Sequence, residues 1–107
     1  MNYPLVIAGL VVLYWFMNTP IPLDTSKKTL TLYWWNKCGH CISFMPEWNK
    51  LGSSVNGVTI RAVEASQNKE LKINSFPTLV YRDGRGGMEN YEGERNASAI
   101  TYFLSTK

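Results

Sequence analysis

Residues 29–48 read TLTLYWWNKCGHCISFMPEW, and the change of pattern inside this stretch decides the class of fold. Its first part, residues 29–35, is rich in β-branched and aromatic side chains over strand length and runs straight into the two cysteines of the chain, Cys38 and Cys41. Beyond them Phe44, Trp48, Leu51 and Val55 recur at i, i+4, i+7 and i+11, the apolar stripe of a helix. The spacing predicts a helix that opens at Cys38, bends about one turn past Cys41 where Pro46 removes a backbone donor, and ends at the stop signal Asn56-Gly57. Three uses of the thiols are open at this point: a structural staple, part of a metal site, or a pair that exchanges with other proteins.

Downstream, residues 58–65 (VTIRAVEA) alternate like a strand, and a strand, helix and strand in that order give a right-handed parallel βαβ unit. Residues 66–74 (SQNKELKIN) form a short polar connection, helical or turning. Residues 78–81 and 88–92 flank the turn-rich RDGRGG and read as an antiparallel hairpin. A last helix starts at Asn96, a good N-cap, and buries Ile100, Phe103 and Leu104. Asn96-Ala97-Ser98 also matches a glycosylation sequon, which the cap explains equally well.

Upstream, residues 1–23 carry no charged side chain. The apolar run from Tyr3 to Met17 covers about 22 Å as a helix, against a bilayer core of about 30 Å, so it spans only with stretched flanks or a thinned bilayer. Tyr14 and Trp15 suit an interface, and Asn18, Pro20 and Pro22 lead out into an extended linker. A cleaved signal peptide is disfavoured by the lack of an opening Lys or Arg and of a small-residue exit, and a buried core helix lacks its polar face here. The expected organisation is a single-pass transmembrane anchor, membrane-embedded at residues 4–17, with its proline-containing linker in residues 1–23, followed by an α/β domain in residues 24–107. Lys27 and Lys28 bias that domain toward the cytoplasmic face.

Composition removes other classes of function. The net charge of +3 is modest and the eleven Lys and Arg are scattered, so nucleic acid is not an expected partner. A structural disulfide across a two-residue gap gains little chain entropy. A zinc site needs about four ligands, and Cys38, Cys41 and the lone His40 cannot all coordinate one ion comfortably, so no metal is expected.

The order βαβ-ββα is that of a thioredoxin core. The Cys38-Gly39-His40-Cys41 tetrapeptide after an apolar strand, Pro46 in the helix, the Phe76-Pro77-Thr78 triplet and the Tyr91-Glu92-Gly93 turn together resemble a protein disulfide isomerase-type thioredoxin domain over about residues 28 to 104. The resemblance implies the compact thioredoxin-like fold, without the extra N-terminal strand and helix. It implies no cofactor beyond a redox-active Cys38/Cys41 disulfide, protein thiols or disulfides as substrates, and glutathione or another oxidoreductase as redox partner.

If Cys38 opens the helix, unpaired N–H groups and the helix dipole favour its thiolate, which makes it the nucleophile, and Cys41 one turn on is the resolving thiol. Gly39 allows a tight approach and His40 tunes the couple. By resemblance, the Gly-His pair belongs to the isomerase and oxidase end of the family, which favours an oxidising compartment, against the charge bias. By resemblance too, Pro77 is a cis-proline, and the backbone of Phe76 pairs with an extended substrate strand. Two departures stand out. The buried acid often found six positions before the first cysteine is Leu32, and the residue before the nucleophile is Lys37 rather than Trp, so Lys37 supplies charge while Trp34 and Trp35 supply an apolar rim. The sequence thus points to a membrane-anchored thiol-disulfide oxidoreductase. The alternative is a membrane-tethered client-binding module with little turnover, for which Leu32 is the best support.

Overall fold

The computed structural model describes residues 22–107. Its centre is β1 (Thr29–Trp34), which pairs parallel with β3 (Val58–Glu64) on one side and antiparallel with β4 (Thr78–Arg82) on the other. The short β2 (Ser54–Val55) and β5 (Met88–Tyr91) add antiparallel edges, giving the order β2-β3-β1-β4-β5. Two helices complete the domain, α1 (Gly39–Asn49) and α2 (Ala97–Ser105). The expected apolar membrane segment and its linker, up to residue 21, lie outside the described residues. Among the described residues no helix is long and apolar enough to cross a membrane.

Strand alternation sorts the sheet into two unlike faces. Leu30 and Leu32 of β1, Ile60 of β3 and Leu79 and Tyr81 of β4 point to one side, where Phe44 and Trp48 of α1, Leu51, and Ile100 and Leu104 of α2 close over them. The expected buried stripe of α2 is present, with Phe103 packed half-buried at its margin. Asn96 caps this helix, its Oδ1 accepting the N–H of Ala99 at 2.8 Å. Glu47 of α1 accepts the N–H of Ala97 at 2.9 Å, so the end of one helix fixes the start of the other.

The second face is polar where it meets the first two thirds of β1. Thr31 and Tyr33 are fully buried there beside Arg61 and Arg82. Arg61 donates to Thr31 Oγ1 at 3.0 Å and to both carboxylate oxygens of Glu70 at 2.8 and 2.6 Å, so the buried charge is paired and its donors are used. Toward the end of β1 the face turns apolar, with Tyr33, Val63 and Val80 against Leu71, Ile73 and Phe76.

One expectation is corrected. The first helix ends at Asn49 rather than near Asn56-Gly57. Its last turn tightens through i to i+3 bonds, Lys50 N–H to Glu47 and Leu51 N–H to Trp48, and Gly52 then takes a left-handed φ of 71°. Val55, read as helical, belongs to β2 and faces Val58 across a two-residue turn. Asn56 and Gly57 have φ of 51° and 80°, the left-handed pair that a type I′ hairpin requires. The Asn-Gly signal therefore marked a hairpin, not a helix stop.

The two glycine turns differ in a measurable way. A Cβ at Gly57 would meet nothing within 4 Å, so Gly57→Ala should cost only the left-handed conformation, about 1 kcal/mol in urea unfolding. A Cβ at Gly84 (φ 82°) would also lie 3.0 Å from the carbonyl oxygen of Ser26, so Gly84→Ala should cost more, about 2 kcal/mol or above. Equal losses would contradict the close approach of the Ser26 carbonyl to Gly84.

Candidate active site

β1 leaves the sheet at Trp34, and a turn closed by the Cys38 N–H on the Trp35 carbonyl at 3.0 Å delivers the chain to α1. Cys38 is the N-cap, with extended backbone at φ −95° and ψ 115°. Its Sγ accepts the N–H of Cys41 at 3.3 Å, the bond that a Ser or Asp oxygen makes at most helix starts. Its carbonyl accepts the first helical bond, from Ile42 at 3.1 Å. Cys41 lies one turn inside, 1% exposed, while Cys38 is half-buried, and both thiols are free.

The two sulfurs are electrostatically unlike. The Cys38 thiol is held below the ordinary thiol range, first by a hydrogen bond from the Cys41 side chain, then by the backbone N–H groups of Cys41 and His40 and by the charge of Arg95. Cys41 is pushed up to about 11, chiefly by burial and then by the neighbouring Cys38 sulfur. Lys37, expected to supply the helping charge, is exposed and is not among these causes; the cation that acts on both sulfurs is Arg95.

Other residues singled out from the sequence converge unevenly. The Phe76–Pro77 bond is cis, Pro77 is buried, and Cys38 Sγ–H donates to the Phe76 carbonyl at 3.5 Å. The Trp35 ring is 42% exposed and sits 6.4 Å from that of Phe76, so an aromatic pair borders the sulfur. Trp34 instead packs half-buried on the main core and is not part of this rim. His40 is exposed on the first turn of α1. A Cβ at Gly39 would meet nothing within 4 Å, so the tight approach expected of this glycine is not to another part of the described chain. Ile42, 54% exposed, extends the apolar surface along the helix.

Beside Pro77 a polar cavity of about 350 Å³ is lined by Ser75, Thr78, Tyr91, Gly93 and Arg95 among others. A larger hollow of about 520 Å³ involves Lys28, Asp83, Arg85 and Lys107. It belongs to the other end of the sheet, because β4 pairs Thr78 with Tyr33 but Arg82 with Thr29. Leu32 is fully buried in the apolar core, so no carboxylate stands at the position where the resemblance looked for one.

Arg95 is the site residue that sequence reasoning missed. A signal for it existed: an Arg immediately before the N-cap Asn96 sets a cation at the positive end of a helix, a locally unfavourable choice. Glu64 was also passed over. Its carboxylate accepts the N–H of Asn36 at 3.4 Å and that of Ser66 at 2.7 Å, tying the turn before the cysteines to the end of β3.

The difference between the thiols should appear in alkylation rates. Iodoacetamide should modify Cys38 with an inflection below the ordinary thiol range, because the thiolate is the reacting form, while Cys41 stays protected until the pH approaches about 11. In Cys38→Ser the Cys41 inflection should fall, since the contribution of the Cys38 sulfur goes, yet remain high because burial persists. Equal reactivity of both thiols at neutral pH would contradict the assignment.

Comparison with known proteins agrees with this geometry. The thioredoxin family profile matches residues 21–106. Protein disulfide-isomerase 1 of Caenorhabditis elegans is 31% identical over 91 residues, covering 79% of this chain and 19% of the worm protein. Protein disulfide-isomerase like 2-2 of Arabidopsis thaliana is 35% identical over 87 residues, covering 76% of this chain and 19% of the plant protein. The chain therefore spans about a fifth of the length of these curated relatives. The solved structure of the first two thioredoxin domains of Naumovozyma dairenensis Eps1p superposes with a TM-score of 0.67 at 23% identity, over 81% of this chain and 40% of that one, a likeness of fold. With a family match running from before β1 to the end of α2, around two cysteines set at a strand-to-helix junction, this chain belongs to the thioredoxin family.

Proposed function

We propose that this chain is a thiol-disulfide oxidoreductase acting on protein substrates, held at a membrane by its apolar residues 4–17. The observation that carries the reading is the half-buried Cys38 sulfur capping α1, with a second thiol one turn behind it. Its relatives, the protein disulfide-isomerases of worm and plant, support the same chemistry.

Starting from the dithiol, the Cys38 thiolate attacks one sulfur of a substrate disulfide. The substrate S–S bond breaks as the Cys38–substrate bond forms, and the departing substrate sulfur leaves as a thiolate that takes a proton. Cys41, once deprotonated, attacks Cys38, releases the second substrate thiol and leaves the Cys38–Cys41 disulfide. Run backwards, the same steps oxidise a substrate dithiol, with glutathione or another oxidoreductase resetting the pair.

Recognition falls to main chain and rim. The Phe76 carbonyl beside the sulfur and the edge leading into Thr78 suit an extended peptide, and Trp35, Phe76 and Ile42 offer apolar contact of broad specificity. His40, exposed on the first helical turn, faces incoming substrate and tunes the couple. Lys37 sits at the solvent edge, where it attracts acidic segments.

In this reading resolution is the slow step, because burial disfavours the Cys41 thiolate and Leu32 supplies no carboxylate to take its proton. The mixed disulfide then persists, giving a second substrate thiol time to attack it, which is isomerisation. A client-binding module with little turnover is the limiting case of the same delay.

Trapping separates these readings. Cys41→Ser in the full chain should accumulate substrate-linked species on non-reducing gels, Cys38→Ser should give none, and the double variant should lose client protection. A double variant that protects clients as well as wild type would sink the enzymatic reading. The anchor is tested separately: carbonate washing should leave the full chain in the membrane pellet and release a chain begun at Asp24, and release of both would overturn it.

A further inference from the structure

The connection from β3 to β4 is not a helix. After a single 3-10 turn (Ala65–Gln67), residues 68–77 form neither helix nor strand, although they end in the Phe76 carbonyl that touches the Cys38 sulfur. A helical crossover would hold itself through its own backbone bonds and lie on the sheet by an apolar stripe. Here side chains must do it.

Asn68 folds the start of the segment, its Oδ1 accepting the N–H groups of Glu70 at 2.9 Å and Leu71 at 3.4 Å while its Nδ2 donates to the Leu71 carbonyl at 2.6 Å. Glu70 is thereby turned to the sheet. Its carboxylate takes Nη1 and Nη2 of Arg61 at 2.8 and 2.6 Å, and the Tyr33 hydroxyl donates to Oε1 at 2.8 Å. The Arg61 side chain is 2% exposed and that of Glu70 is 22% exposed. Arg82 adds a bond to the Tyr33 hydroxyl at 2.8 Å. Tyr33 therefore works at both ends: its hydroxyl meets Glu70, and its ring belongs to the cluster on which Leu71, Ile73 and Phe76 pack. Apolar packing alone tolerates sliding, whereas a two-point guanidinium-carboxylate bond fixes direction and register.

We propose that Glu70 is a positioning residue for the substrate groove, its clamp on Arg61 and Tyr33 setting the Phe76 carbonyl against Cys38. The proposal rests on the exchange activity given above, and it concerns binding of an extended peptide rather than the reactivity of the thiolate.

The test compares two disulfides on the full chain: an extended peptide joined by a disulfide, and a small aromatic disulfide with no peptide backbone. Glu70→Gln keeps the shape and removes the charge. It should raise KM for the peptide about tenfold while kcat and the rate with the small disulfide stay within about twofold. An unchanged peptide KM overturns the proposal, and so does a parallel loss with both disulfides, which would mean a general effect on stability or on the thiol. Wild-type protein inert to both disulfides would instead count against the exchange reading. The clamp is then decided by amide exchange, where Glu70→Gln should speed residues 71–76 and leave β1 and α1 unchanged, and any other pattern overturns it. Should Glu70→Gln fail to fold, Tyr33→Phe keeps the Arg61–Glu70 pair and should raise peptide KM about threefold; no change there also overturns the proposal.

Discussion

The hydrogen bond from the Cys41 N–H to the Cys38 sulfur is the constraint around which the domain is arranged. A helix start leaves N–H groups without partners, and something with a lone pair must meet them. Using sulfur for this makes one atom both a structural cap and the proposed nucleophile. A thiolate accepts such bonds more strongly than a thiol, so the geometry that begins α1 also favours ionisation of Cys38. The rest of the fold holds that atom still: β1, bonded on both sides, brings the chain to it, and α1 is pinned beyond it by Phe44 and Trp48.

The two faces of the sheet then serve different ends of the same site. The apolar face seats both helices and, through Glu47 on the Ala97 N–H, sets the start of α2 just after Arg95. The polar face seats the crossover that ends in Phe76 and Pro77. Cys38 lies where these two constructions meet, taking N–H donors from α1 and giving its own hydrogen to Phe76. A buried pair such as Arg61 and Glu70 adds little net stability over an apolar replacement. Its value here is directional.

Local rules made much of this legible. Alternation and aromatic content located β1, β3 and the β4–β5 hairpin, and the Asn96 cap located α2 to within a residue. The cysteine pair and Phe76-Pro77 marked the site because their chemistry is written in adjacent residues. The end of α1 was misread because Asn-Gly serves equally as a helix stop and a type I′ turn, and only the pairing of Val55 with Val58 distinguishes them. The Arg61–Glu70 contact and the reach of Arg95 to the thiols were hidden for a different reason. Both are made by side chains brought together by the strand register and the helix docking, and no periodicity encodes them.

The inequality of the two thiols is the functional consequence of these placements. Cys38 is partly exposed and helped by N–H groups and Arg95, while Cys41 is enclosed by the apolar core and raised further by the sulfur it supports. The N–H groups and Arg95 favour the Cys38 thiolate, whereas burial opposes loss of the proton from Cys41. A carboxylate in the core would relieve that opposition by carrying the proton away from Cys41. Leu32 stands fully buried at that position and adds to the apolar packing instead. Under the exchange chemistry proposed above, a Cys41 slow to lose its proton gives the covalent complex time for a substrate to rearrange.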